Sequence, residues 1–184
     1  MDFSERAAIQ EIVDRVSSDG PKEHLHSVLR ALKLVQGGAQ SFREPDPGGA
    51  VGLGERVLKE LQPIPGVEKI SALVRVALIA QYAQTGRYDA AIAVGFVALP
   101  PLANDARLAY SYAACLHDLG GVLVESGRLT EGADFIEQAM SIYEHLPNSS
   151  GKVEFCRANL ERVRALLAKH GKEPSIWSRL FRKR

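Results

Sequence analysis

Cysteine, tryptophan, excess charge of either sign and long apolar runs are all scarce in this chain of 184 residues. Each scarcity removes a class of protein. Only two cysteines occur, Cys115 and Cys156, both within stretches of helical period. They make no disulfide framework, and a reducing, cytoplasmic setting is expected for a chain that does without one. Lysine and arginine number 23 against 22 aspartates and glutamates, leaving a net charge of +1. A protein that tracks a phosphate backbone carries a clear basic excess, so no specific nucleic-acid partner is expected. The longest apolar candidate, residues 74–83, is broken by Arg75 and Gln81 and is too short to cross a bilayer. The first residues, Met1 to Arg6, lack the basic start and apolar stretch of a signal peptide. Strand signals are missing too, because β-branched residues never alternate with polar ones for long.

What remains is helix. Apolar residues make up 46% and charged residues 24%, a composition that suits one globular domain spanning 1–184. Ile9, Ile12, Val13 and Val16 form one stripe at helical spacing, with Asp2 or Ser4 as its cap. Leu25, Val28, Leu29, Leu32 and Val35 form a second stripe, ended by Gly37 and Gly38. Glycine and proline then dominate, and a loop of about a dozen residues, roughly 37–50, is expected. A third helix follows near 53–61, with Leu53, Val57, Leu58 and Leu61 inward. Beyond it the spacing predicts a pair at 67–85 and 88–99, a second pair at 105–126 and 129–146, and a last helix at 151–170 capped by Ser149 or Ser150.

The two pairs repeat one another. Gln84-Thr85-Gly86-Arg87-Tyr88-Asp89-Ala90-Ala91 aligns with Glu125-Ser126-Gly127-Arg128-Leu129-Thr130-Glu131-Gly132, a period of 41 residues (127 − 86). A third echo surrounds Gly171. The glycine supplies the left-handed residue that ends one helix, so Gly86 and Gly127 are predicted at positive φ. The small residue five places on, Ala91 or Gly132, lets two helix backbones approach.

This pattern resembles the tetratricopeptide repeat, in a long-helix variant. The family's positions fall on Leu78, Ile79, Tyr82, Gly86, Tyr88, Ala91 and Ala98, then on Leu119, Gly120, Leu123, Gly127, Leu129, Gly132 and Ala139. The resemblance covers 71–171. It departs from the family in its period, which is usually about 34, in Ile79, which replaces a small residue, and in Gly95, which replaces an aromatic. It implies an all-α, right-handed solenoid of antiparallel helix pairs, with N-terminal helices and a C-terminal capping helix. It further implies a concave groove lined by the first helix of each pair, where a partner binds.

Carried onto this chain, the groove positions are Leu73, Val76, Ala77, Ala80 and Gln84, then Ala114, His117, Asp118, Gly121, Val124 and Glu125. The last helix adds Ala158, Glu161, Arg162, Ala165 and Lys169. These side chains are small and apolar with a few charges, so the implied function is a non-catalytic scaffold that takes a peptide or amphipathic helix of another protein. The chain's own N-terminal helices or C-terminal tail compete for the same groove, and self-association through an exposed stack end is a further expectation. Two alternatives come from other classes. One is a helical enzyme centred on His117, Asp118 and Glu125; no nucleophile stands at a recognisable spacing. The other is a peripheral membrane or nucleic-acid-associated module that acts through the basic segment 174–184, where Ile176, Trp177, Leu180 and Phe181 share one side and Arg179, Arg182, Lys183 and Arg184 follow. That segment is expected either to cap the stack or to give weak contact with anionic membrane. The five histidines show no metal-ligand spacing, and no cofactor motif is complete.

Overall fold

A computed structural model describes residues 3–37 and 47–170. Every regular element among them is helical: α1 (Phe3–Asp19), α2 (Lys22–Gly37), α3 (Pro47–Leu61), α4 (Glu68–Gln84), α5 (Tyr88–Ala103), a 3₁₀ turn (Ala106–Leu108), α6 (Ala109–Glu125), α7 (Leu129–Glu144) and α8 (Ser150–His170). Of the loop expected at 37–50, residue 37 ends α2 and residues 47–50 belong to α3, while 38–46 lie outside the described residues, as do Asp2, Gly171 and the segment 174–184.

Consecutive helices pack on one another from α2 to α8, and α4 also touches both α2 and α6. The turns between partners explain this order. Gly86 has φ 71° and Gly127 has φ 88°, as the repeat requires. In the first turn the Gly86 N–H donates to the Ala83 carbonyl at 2.9 Å and the Arg87 N–H to the Tyr82 carbonyl at 2.9 Å. In the second, Gly127 donates to Val124 at 3.0 Å and Arg128 to Leu123 at 2.8 Å. These are the paired bonds of a Schellman motif, which satisfy the last carbonyls of one helix and aim the chain back along it.

The core is continuous. One cluster runs from Ala8 in α1 to Leu123 in α6, and a second joins Leu116, Ile136, Tyr143, Cys156 and Leu160 across α6, α7 and α8. Leu99, Tyr112 and Phe135 pack against both. Each large side chain buried this way contributes roughly 1.5–3 kcal/mol.

Several local expectations change. The third helix begins at Pro47, six residues before Leu53, because proline suits a first helical turn. Helix α5 does not stop at Leu99; it continues through Pro100 and Pro101. Those prolines remove donors to the Phe96 and Val97 carbonyls, and both residues are exposed (41% and 54%), so water can serve instead. Leu29, expected inward, is 46% exposed, while Ala31 and Leu34 are buried in α2. Ser4 lies inside α1, and its hydroxyl donates to the Arg107 carbonyl. Ser149 precedes α8, but its hydroxyl donates to the Tyr143 and Leu146 carbonyls and so closes α7.

Candidate functional site

The first helices of the pairs, α4 and α6, pack on each other, and α1 bonds to the start of both. The Arg15 guanidinium meets the Gly66 carbonyl just before α4. At the other end of α1 the Glu5 carboxylate, 1% exposed, accepts from the Ser111 N–H at 2.8 Å. That N–H lies in the first turn of α6, where backbone donors lack helical partners and favour a negative charge. Arg107 completes the join by reaching Glu11 at 2.9 Å.

Between this brace and the α4–α6 surface lies a groove of about 970 Å³. Its floor is Leu73, Val76, Ala77, Ala80 and Gln81 from α4 with Tyr110, Ser111, Ala114 and Asp118 from α6. Glu5 and Arg6 of α1 with Val35 and Gln36 of α2 form one wall, and Lys152 of α8 stands at the edge. A second depression of about 470 Å³ shares Ala80 and Asp118 and continues past Gln84, His117, Gly121 and Glu125. Gly121 has open space where a side chain would be, so this surface stays shallow.

Of the residues singled out from the sequence, Leu73, Val76 and Ala80 lie in the first depression. Gln84, His117, Gly121 and Glu125 lie in the second, and Asp118 joins the two. Ala77 and Ala114 line the first as well. Val124 instead faces α7, where it lies against Gly132. Glu161, Arg162 and Lys169, with Ala158 and Ala165, are exposed on α8 and line neither depression. Glu5, Arg6, Val35, Gln36 and Lys152 were not expected there, since their sequence neighbours say nothing of where α1, α2 and α8 dock. Gln81 had a signal: a lone amide inside an apolar run.

His117 is tied into the scaffold. Asn159 Nδ2 donates to its Nε2 at 2.9 Å, which places the ring proton on Nδ1, directed at Asp118 Oδ1 3.1 Å away. Phe155 packs on the ring with centroids 5.0 Å apart. Both ring nitrogens are therefore occupied by protein groups. Cys115 is fully buried with its thiol directed at the Gly95 carbonyl, and burial pushes that thiol up to about 12, out of reach of a thiolate at neutral pH. Among the described residues no three His, Cys, Asp or Glu side chains converge as a metal site, and no helix is long and apolar enough to cross a membrane.

The described residues thus form an all-helical protein built of packed consecutive helices, with a groove along two of them. No protein-family model matches it, and no curated protein or solved structure matches it.

Proposed function

We propose that this chain is a non-catalytic, cytoplasmic scaffold of tetratricopeptide type, a right-handed stack of antiparallel helix pairs that holds a segment of another protein. The observation that carries this reading is the groove over α4 and α6. Its volume of about 970 Å³ is at the upper end of small-molecule pockets, which run to about 1,000 Å³. Its floor is mainly aliphatic and small, a surface suited to a peptide or an amphipathic helix. The repeated glycine turns and the contacts of α4 with both α2 and α6 support the stacked arrangement. The occupied nitrogens of His117 weigh against acid–base chemistry at that residue.

Ala80 offers a direct test, since it is exposed and borders both depressions. Ala80→Arg should melt like the wild type while filling the groove. Captured from cell extract side by side, at least one protein should be retained by the wild type and lost on the variant. Retention of every captured protein by both would reject the groove as the binding surface.

A further inference from the structure

Gln81 is only 5% exposed, yet its side-chain amide has no hydrogen-bond partner among the described residues. Its backbone carbonyl is engaged by Thr85 in the usual helical way. The one enclosed side-chain atom without a partner among those residues is Glu60 Oε2, so the Gln81 amide is not sealed inside the protein. It opens on the groove whose floor it helps form. Once a ligand covers the groove that amide is desolvated and costly when unmet, and a ligand offering both a donor and an acceptor answers both of its ends.

The interior backbone of a helix in the groove offers neither, because its N–H and C=O groups pair with each other. An extended chain does: one residue presents its N–H and C=O to the same side, as in a strand pair. Gln81 Oε1 would accept from that N–H and Nε2 would donate to that C=O. Ala77, Ala80 and Ala114 beside it leave room for a backbone to come close.

Charge narrows the ligand further. Glu5, Arg6, Asp118 and Lys152 are the charged side chains of the groove. Glu5 is committed to the Ser111 N–H and Asp118 to His117. Arg6 and Lys152 have no ion-pair partner among the described residues. We infer that the groove selects an extended, carboxylate-bearing segment of a partner protein, with Gln81 reading its backbone and Arg6 and Lys152 meeting its acidic side chain. This rests on the scaffold reading above.

Random dodecapeptides displayed on phage and panned against the full chain, with Ala80→Arg as the counter-selection, supply the probe. Enriched sequences should carry an acidic residue among apolar ones, and a synthetic copy should bind without gaining helical circular dichroism. Gln81→Leu should weaken that peptide about tenfold or more without lowering the melting temperature, because an apolar side chain of similar size leaves no amide unmet. Gln81→Met gives the same readout should leucine disturb folding. Arg6→Gln with Lys152→Gln should weaken binding and flatten its dependence on salt. Wild-type affinity in the Gln81 variants, or enrichment of basic or helix-forming peptides, overturns the inference. A peptide lost on Ala80→Arg but kept by Gln81→Leu rejects it while leaving the scaffold standing; peptides that bind Ala80→Arg equally well, or no enrichment at all, reject both.

Discussion

Asp105 receives four hydrogen bonds: from the Arg107 N–H and Nε at 3.0 Å each, from Arg107 Nη2 at 2.8 Å, and from Lys69 Nζ at 2.6 Å. Its side chain is 9% exposed, between the start of α4 and the 3₁₀ turn before α6. The Arg107 guanidinium, with Lys69 behind it, holds this carboxyl far below the usual carboxylate range, although burial pulls the other way. Hydrogen bonds to a charged group are worth roughly 1.5–3 kcal/mol, and the partial exposure of Lys69 and Arg107 discounts that, so Asp105→Asn should cost about 1–2 kcal/mol at neutral pH. The carboxyl is depressed in the folded state, so its contribution is fully present above the unfolded value of about 3.9 and is lost as pH falls below it. Denaturant titrations should show a constant gap between wild type and Asp105→Asn above about pH 5 and a shrinking one below about pH 4. A gap unchanged at low pH would mean that shape, not charge, holds this corner.

At the scale of the element, two adjacent glycines in α6 have opposite roles. A Cβ on Gly120 would lie 2.7 Å from Ile136 Cγ1 and 2.8 Å from the Gly132 carbonyl oxygen of α7. A Cβ on Gly132 would in turn lie 2.6 Å from the Gly120 carbonyl oxygen. The α6–α7 crossing is therefore close because both positions lack side chains. A Cβ on Gly121 meets nothing within 4 Å. Gly120→Ala should destabilise by about 1–3 kcal/mol through overpacking. Gly121→Ala should stabilise by about 0.5–1 kcal/mol, because alanine loses less backbone freedom in a helix. Urea midpoints of the two variants should move in opposite directions, and movement the same way would contradict the assigned faces of α6.

At the scale of the whole molecule, α1 joins parts of the chain that are remote in sequence. Glu5 reaches Ser111, Glu11 reaches Arg107 and Arg15 reaches Gly66. The helix thereby becomes a wall of the groove and a support for the start of α6. Removing a buried acceptor leaves its donor unmet at roughly 1–3 kcal/mol, so Glu5→Ala should lower the melting temperature. Hydrogen exchange should quicken at the Ser111 amide while the α7–α8 core around Tyr143 and Leu160 keeps its protection. Unchanged exchange at Ser111 would show that α1 does not brace α6.

Much of the helical skeleton was legible because its causes are local. A 3.6-residue apolar period marks a helix wherever it occurs, and Gly86 and Gly127 end theirs through bonds spanning five residues. The resemblance to tetratricopeptide repeats, not locality, singled out Leu73, Val76, Ala80, His117, Asp118 and Gly121, which line two adjoining depressions. Tertiary structure alone decided what local spacing does not encode. It carried α5 through Pro100 and Pro101, beside the exposed residues Phe96 and Val97, and it turned Leu29 outward. It brought Glu5, Arg6, Val35, Gln36 and Lys152 around Gln81, and left Glu161, Arg162 and Lys169 aside. The contacts that place them span up to 106 residues of sequence, as between Glu5 and Ser111. Such pairings depend on how whole helix faces fit together, and no short pattern of residues records that fit.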